Sequence, residues 1–571
     1  MKLKLILIAA SLLMSFPLVL ARLDGLGLSL SLAVYLALFC ALSATLIAAA
    51  WAAWSALRWV LAGIFSAGSL FAASFASAMG QELTYDALTN LWDARGFAGD
   101  AASQFTGDLL WGALQGGLLF LGIGLDPKSE ARHGHVLAGL VPLGALAALA
   151  VMFYVRGGDG GRGLPGAFVA PAYAMALAFD TIRNDPGTRQ PVRLPHIKPW
   201  TEGDIVLIVD ESIAAQYLDI NNKAGVHTGL ASKRPNFAIH NFGIASSITH
   251  CSTGTNLTLR YGGTRENYRR INATGPSLWS YAKAAGLTTV YIDAQRTGGA
   301  YQNGMDDAER TDIDRWIQFD DIPVMDRDMA VADRLAQLLN DGQPQFILVN
   351  KMGAHFPVQA KYPESRTRFK PVAPRDGFFG IVEPTVRDTS SVSRDEWRLY
   401  RNAYRNVVEW NVGAFFERLF AATEGSRAIL IYTADHGQNL HESGELGNAT
   451  HCTPEPAIEE GAVPMVVIEG PQSSNIEWQS AASRNWNGSS HYRIFPTLLS
   501  LMGYEPLAVR KAYGERLDAP TRDRLEFNAL FNARLGREPV WKTVDPAQIK
   551  ALRADDYSRD SGVTNPANQT N

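Results

Sequence analysis

Five apolar runs fall within the first 155 residues, and they restrict this chain more than any motif does. They cover roughly Leu5–Ala21, Leu28–Trp51, Trp59–Met79, Leu109–Leu125 and Val136–Val155. Each is close to the roughly 20 residues that cross a hydrocarbon layer as a helix. Five helices of a soluble core would each carry a polar face, and these runs largely lack one. The expectation is a transmembrane domain of about five helices over residues 1–156. The first run has a second reading. Lys2 and Lys4, an apolar stretch and then Val19-Leu20-Ala21 have the form of a secretory signal peptide.

Basic residues set the orientation. Lys2 and Lys4, then Arg58, then Lys128 and Arg132 fall on alternate connectors, so all lie on one side, the cytoplasm. The loop after the third run carries Glu82, Asp86, Asp93, Asp100 and Asp108 against Arg95 and belongs outside. An odd number of spans puts everything after Arg156 outside as well, which in a bacterium is the periplasm. The outer loop Gln81–Asp108 also holds Leu83, Leu88, Leu91, Trp92 and Phe97, so it is either an amphipathic element on the bilayer or a solvated loop.

Residues 157–202 read as a linker. Gly157–Gly166 is a glycine-rich flexible joint, followed by a helical stretch and then by Pro186, Pro191, Pro195 and Pro199. From 203 to 530 strands alternate with helices, the pattern of an α/β domain with a mostly parallel sheet. The strands expected are Ile205–Val209, Thr288–Ile292, Gln345–Val349, Ala428–Tyr432 and Pro464–Ile468. The helices expected include Ser277–Ala285, Met329–Leu339, Trp397–Ala422 and Ser490–Gly503. Residues 531–571 read as a polar C-terminal tail, disordered from Asp555.

The net charge of −4 offers no basic field for nucleic acid. Three cysteines make no disulfide framework. Cys40 lies in an apolar run and is expected in the core. Cys251 and Cys452 each flank a stretch of interest, and either a disulfide or two buried thiols fits them.

Open α/β sheets place their chemistry at the carboxyl ends of parallel strands. Ala428–Tyr432 leads into Asp435-His436-Gly437, and Ile205–Val209 leads into Asp210-Glu211-Ser212. Two strands thereby bring carboxylates and an imidazole to one sheet edge, a set suited to a divalent metal. The run Ser246 to Asn256 is rich in hydroxyls and precedes an apolar residue, as at a helix N-terminus that favours anions. A hydroxyl there could attack phosphorus if a metal lowers its pKa. His355 follows the third strand, and His441 and His451 stand after the Asp-His pair.

Taken in order, these motifs resemble the membrane-anchored phosphoethanolamine transferases of the alkaline phosphatase/sulfatase superfamily. Val209-Asp210-Glu211-Ser212 is similar to a strand-end motif whose Glu binds zinc. Cys251-Ser252-Thr253-Gly254-Thr255 resembles the family's nucleophile loop, which points to Thr255 ahead of Thr253. Met352-Gly353-Ala354-His355-Phe356-Pro357, Tyr404-Arg405-Asn406, Thr433-Ala434-Asp435-His436-Gly437 and the helix from His491 also have counterparts. His451 lies near a later family histidine. The chain departs at Asp293-Ala294-Gln295-Arg296, where the family's headgroup-lining Asn and Lys are absent and Arg296 is new, and at Gln438, where the family has Glu.

The resemblance implies Zn2+, one or two ions, held by Glu211, Asp435, His436 and the Thr255 oxygen, with Mn2+ or Mg2+ as alternatives. Thr255 would take a phosphoryl headgroup, most simply phosphoethanolamine, from a membrane phospholipid. A phospho-threonine would then pass it to an outer-leaflet lipid or glycan such as lipopolysaccharide. His355 and His451 would neutralise phosphoryl oxygens or hold a second metal. The implied location is the bacterial inner membrane with a periplasmic catalytic domain. The rival readings are a phosphoglycerol-type transferase, a phosphatase- or sulfatase-like hydrolase on the same core, and a non-catalytic membrane scaffold.

Overall fold

The structure is a computed structural model that describes residues 2–79, 82–93, 105–127, 134–183, 187–198, 203–372, 374–375, 393–423, 426–442, 449–453, 455–471, 474–531 and 538–549. Its contacts divide the chain into two compact units. One is Met1–Asp185 with Asn532–Glu538, and the other is Pro186–Phe531 with Pro539–Asn571.

In the first unit the helices Leu30–Ala49, Ser55–Met79, Thr106–Gly124 and Gly134–Val155 contain stretches long and apolar enough to cross a membrane. The first expected span is two helices, Lys2–Leu13 and Phe16–Leu26, bent by 55°; counted as one span they make five. Pro17 lies in the first turn of the second helix. It is tolerated there because that turn's N–H groups have no intrahelical partner, whereas in a straight helix it would remove a bond and clash. Thr106–Gly124 packs closely on Ser55–Met79 through small residues. A Cβ on Gly116 would fall 2.8 Å from the Ser66 carbonyl oxygen, and one on Gly112 would meet Ser74.

The carboxyl end of Thr106–Gly124 is capped by basic side chains. Lys4 Nζ donates to Ile123 O at 3.0 Å and to Leu125 O, and Arg58 Nε donates to Gly124 O at 3.1 Å. These carbonyls have no partner within the helix, and a cation suits the helix dipole there. Two of the residues expected to share one side of the membrane therefore meet at one helix end. Lys128 and Arg132 lie outside the described residues.

Residues 157–183 belong to this unit and not to a linker. Tyr35 OH donates to Gly163 O at 2.9 Å, which fastens the glycine-rich turn. The helix Gly166–Arg183 then packs on Ser55–Met79 and Gly134–Val155, and its Ala167, Ala170, Ala172 and Ala176 are small enough to be buried there. Cys40 is exposed on the Leu30–Ala49 helix, not in the core. Part of the outer loop forms a helix, Tyr85–Asp93, with Trp92 exposed and Tyr85 buried. Residues 94–104 of that loop lie outside the described residues.

The second unit is built on a seven-stranded sheet: β1 (Asp204–Asp210), β2 (Ala238–Ser246), β3 (Thr288–Asp293), β4 (Arg315–Gln318), β5 (Gln345–Asn350), β6 (Ala428–Ala434) and β7 (Ala462–Glu469). The spatial order is β2-β7-β6-β1-β5-β3-β4. All adjacent pairs from β6 to β4 are parallel, while β7 runs antiparallel to both β6 and β2. The central strands β1, β5 and β6 are buried throughout, which explains their near-continuous apolar composition. Tyr400, Phe416, Leu335 and Trp279 join these strands in one core.

The five expected strands are all present, and β2 and β4 were not expected. Both are edge strands, and their burial is mixed, so neither reads as an apolar run. The expected helix from Trp397 to Ala422 begins at Arg394, with Ser393 and Glu396 as a capping box, and contains a π turn at Glu409–Ala414. Past Phe531 the chain is not wholly a tail. Trp541–Thr543 (β9) pairs antiparallel with Glu526–Asn528 (β8), and Val544 and Ile549 are buried with Phe527. The stretch from Asp555 lies outside the described residues.

Candidate active site

Parallel pairing puts the carboxyl ends of β1, β5, β6 and β3 at one edge. Backbone bonds continue the ladder into the loops. Asp435 N donates to Asp210 O at 2.8 Å, Lys351 N to Val209 O at 3.0 Å and Ala354 N to Glu211 O at 2.9 Å. Gly353 is required here. Its φ is +51°, and a Cβ would lie 2.7 Å from Glu211 N and closer still to Asp210 Oδ1.

This edge gathers Glu211, Asp435 and His436, all buried, with ligand atoms within 4.8 Å of one another. Glu211 Oε1 lies 3.5 Å from His436 Nε2, and Asp435 Oδ2 lies 3.7 Å from the same nitrogen. Asp435 Oδ1 accepts from Ser212 N at 2.9 Å and from His436 N at 2.8 Å, while its buried Oδ2 has no hydrogen-bond partner among the described residues. His436 Nδ1 lies 2.8 Å from Gly437 O. A carbonyl only accepts, so Nδ1 carries the hydrogen and Nε2 faces the carboxylates. Ser212, with φ +61°, turns the chain beneath them. Its Oγ donates to Glu211 Oε1 at 2.8 Å, and Tyr404 OH fastens the turn by donating to Ser212 O and accepting from Ala214 N.

The electrostatics call for a positive charge. Burial and the neighbouring Glu211 push the Asp435 carboxyl up to about 8. Burial works against the Glu211 carboxylate, but the His436 hydrogen bond and the charges of His355 and His436 hold it well below the usual range. Burial would likewise lower His436, yet Asp435 and Glu211 raise it to about 10. A divalent cation fits this set. Two carboxylate groups and an imidazole nitrogen converge, one oxygen is orphaned, and the imidazole tautomer is fixed from behind.

Besides Ser212, the hydroxyl of Ser252 reaches these groups, and it meets both Glu211 and His436. Its Oγ donates to Glu211 Oε1 at 3.2 Å and lies 3.2 Å from His436 Nε2. Ser252 opens the helix Ser252–Tyr261, with Cys251 at its N-cap. Thr255, the residue to which the sequence points, is one turn further on and fully buried. Its Oγ1 donates to Thr249 O at 3.2 Å and accepts from Thr249 N at 3.3 Å. It is bound to the loop before the helix, and among the described residues no hydrogen bond joins it to the carboxylates.

His451 comes to the site as its ring stacks on His436 with centroids 4.1 Å apart, and its Nδ1 lies 3.0 Å from Thr450 Oγ1. A disulfide between Cys251 and Cys452, with Cα atoms 5.1 Å apart, resolves the open question of those two residues. His355 is half-buried, with Nδ1 2.8 Å from Phe356 O and its charge felt by Glu211. Neither His355 nor His451 joins the ligand cluster among the described residues. His441 is held elsewhere, by Ala449 O at 3.0 Å and against the Trp397 ring. Sequence reasoning missed Gln295, whose Nε2 donates to Glu211 Oε2 at 3.0 Å. An uncharged amide in a loop carries no signal of such a role. Arg296 is half-buried, and its Nε donates to Gln302 Oε1 at 3.0 Å.

Comparison with known proteins bears on this arrangement. Two curated Kdo(2)-lipid A phosphoethanolamine 7''-transferases, from Escherichia coli (strain K12) and Salmonella typhimurium, are 25% and 24% identical over 272 and 275 residues. Each match covers 44% of this chain and 44% of the relative, so the chain aligns with less than half the length of either. The integral membrane lipooligosaccharide phosphoethanolamine transferase A of Neisseria meningitidis has the same fold, with a TM-score of 0.62 over 91% of this chain and 98% of that one, at 17% identity. A family model described as Sulfatase matches residues 204–504, from the first residue of β1 to just past the helix that follows His491. That region exceeds half of the chain and contains every residue of the cluster, and the chain accordingly belongs to the sulfatase family.

Proposed function

We propose that this protein is a membrane-anchored phosphotransferase. It moves phosphoethanolamine from a membrane phospholipid to a lipid A-type lipid or glycan on the outer face of a bacterial inner membrane. The observation that carries the reading is the Ser252 hydroxyl, 3.2 Å from both Glu211 Oε1 and His436 Nε2 at a helix N-terminus. The names of the relatives support the choice of headgroup and acceptor class.

Glu211, Asp435 and His436 would hold the cation, with zinc first on donor chemistry and manganese or magnesium as alternatives. When bound, the ion supplies positive charge that favours the ionised form of a neighbouring hydroxyl and of phosphoryl oxygens. Ser252 takes the nucleophile role that the sequence pattern assigned to Thr255. Its Oγ attacks phosphorus, a new O–P bond forms, and the bond from phosphorus to the diacylglycerol oxygen breaks. Diacylglycerol leaves with the proton that Ser252 gives up. The oxygen of an acceptor hydroxyl then attacks phosphorus, the Ser252 O–P bond breaks, and Ser252 regains the proton that the acceptor gives up. His451, stacked beside His436, and His355, whose charge acts on Glu211, would donate to phosphoryl oxygens. The amino-terminal spans keep an enzyme of two amphiphiles at the surface that contains both.

Incubation of the full chain with phosphatidylethanolamine labelled in its headgroup, followed by acid quench and peptide mass spectrometry, tests this. The expected result is a phosphoethanolamine adduct on Ser252. An adduct on Thr255 would overturn the assignment of the nucleophile, and a phosphoglycerol adduct from phosphatidylglycerol would overturn that of the headgroup.

A further inference from the structure

Beneath the ligand edge lies a set of buried polar groups that the proposed chemistry does not use. Lys351 is fully buried. Its Nζ donates to Asp210 Oδ2 at 2.6 Å and to the Asn411 carbonyl, with Asp328 Oδ2 3.6 Å away. Asn411 lies in the π turn Glu409–Ala414, a geometry that displaces carbonyls from regular helix bonding. Asp328 in turn accepts from Met352 N at 2.8 Å and Gly353 N at 3.0 Å. The second oxygen of Asp210 accepts from Glu211 N at 3.1 Å.

The other end of the same residue reaches the Glu211 side chain. Lys351 O accepts from Gln295 Nε2 at 2.9 Å, and that nitrogen also donates to Glu211 Oε2 at 3.0 Å. Gln295 cannot easily turn away, because its backbone N donates to Asp293 Oδ1 at 3.0 Å and its Oε1 accepts from Gln302. With Oε2 occupied, Oε1 is the oxygen that faces Ser252 and His436. The Glu211 backbone is held through Asp210, and its carboxylate through Gln295.

We propose that Gln295 and Lys351 are positioning residues that hold Glu211 in the orientation in which it binds a divalent cation. This rests on the cation reading of the Glu211, Asp435 and His436 cluster. Outer partners that orient a ligand typically govern metal affinity by about 10–100-fold. Gln295 acts on the carboxylate alone, so its loss changes ligation without loosening the sheet. Lys351 also supplies the counter-charge for two buried aspartates, so its loss changes both.

The test is zinc affinity of the full chain in detergent, by competition with a chromogenic chelator, beside the thermal midpoint without zinc. Gln295→Leu is expected to weaken zinc by about 10–100-fold while the zinc-free midpoint stays put. Lys351→Met is expected to lower both. Addition of Asp210→Asn to Lys351→Met, which removes the stranded charge and keeps an acceptor for Glu211 N, is expected to recover both in part. Zinc binding of wild-type strength in folded Gln295→Leu would overturn the proposal. So would loss of zinc affinity in that variant only in step with the zinc-free midpoint. Wild-type protein that takes up no zinc, manganese or magnesium would overturn the cation reading itself, a result seen before any substitution is made.

Discussion

Cys251 and Cys452 are joined across 201 residues of chain, and each adjoins a residue of the site: Ser252 follows the first and His451 precedes the second. Cys452 N also donates to His250 O at 3.1 Å, so the two segments are tied by backbone as well. The bond fixes the hydroxyl at the helix start against the loop that carries the stacked imidazole.

Loss of that cross-link should show in stability and in turnover. Cys251→Ser with Cys452→Ser is expected to lower stability by about 2–5 kcal/mol, since the loop closed is long. Thermal unfolding of the oxidised chain and of the double variant measures this. Headgroup transfer should fall as well, because two site residues lose their common anchor.

Substitutions at the two hydroxyls should separate chemistry from packing. Ser252→Ala is expected to cut transfer on the order of 10^3-fold or more, with a folded protein that still takes up metal. Thr255→Val removes the partner of Thr249 N and O, and a buried N–H left unmatched costs about 1–3 kcal/mol. That variant should melt earlier yet keep most of its transfer activity. Steady-state turnover beside a melting curve for each protein decides between them.

Zinc should stabilise the fold, since the unfolded chain has no preformed cluster. At a free concentration about 100 times Kd the gain is about 2.7 kcal/mol. Chelation should reverse it, and Asp435→Asn should abolish it. Binding should also release a proton, because the raised His436 must give one up to ligate. Calorimetry in two buffers of different ionisation enthalpy reads that release.

Asp204, at the opposite end of β1, supplies a pH dependence far from the ligand edge. Burial pushes its carboxyl up to about 8, with Asp341 adding to the rise and the Gln345 N–H opposing it. A folded pKa above the unfolded value means that the native state holds the proton longer. Stability therefore falls as pH rises from near the ordinary carboxyl value towards 8. Asp204→Asn keeps the acceptor for Gln345 N at 3.1 Å and removes the charge. It should be neutral near pH 4 and stabilise by on the order of 2–4 kcal/mol at pH 8, read as the difference in denaturation midpoints across that range.

Much of the architecture was legible because burial on both faces leaves a mark. β1, β5 and β6 are apolar from end to end, and their terminal Glu211 and Asp435-His436 announce a shared edge. β2 was missed because His240 and Asn241 interrupt an edge strand that also contains a register shift, and β4 because it is four half-exposed residues. The sequence pattern pointed to Thr255, three residues beyond the hydroxyl that meets Glu211 and His436. Ser252, Thr253 and Thr255 all carry hydroxyls, and only the start of the helix decides which one points at the carboxylates. The first span was read as a single run, since hydropathy does not register a bend, and Pro17 lies just past the break. Gln295 and Lys351 act through bonds between loops whose proximity no periodicity encodes.

The caps on the Thr106–Gly124 helix carry a consequence for how the bundle holds its direction in the bilayer. Lys4 and Arg58, which the charge bias of the sequence puts on the cytoplasmic side, fasten carbonyls at the end of this helix. Inverting the bundle would require prising both ammonium and guanidinium groups from those oxygens before dragging them through lipid. If the charge bias holds, the same two side chains would both set the direction and keep it.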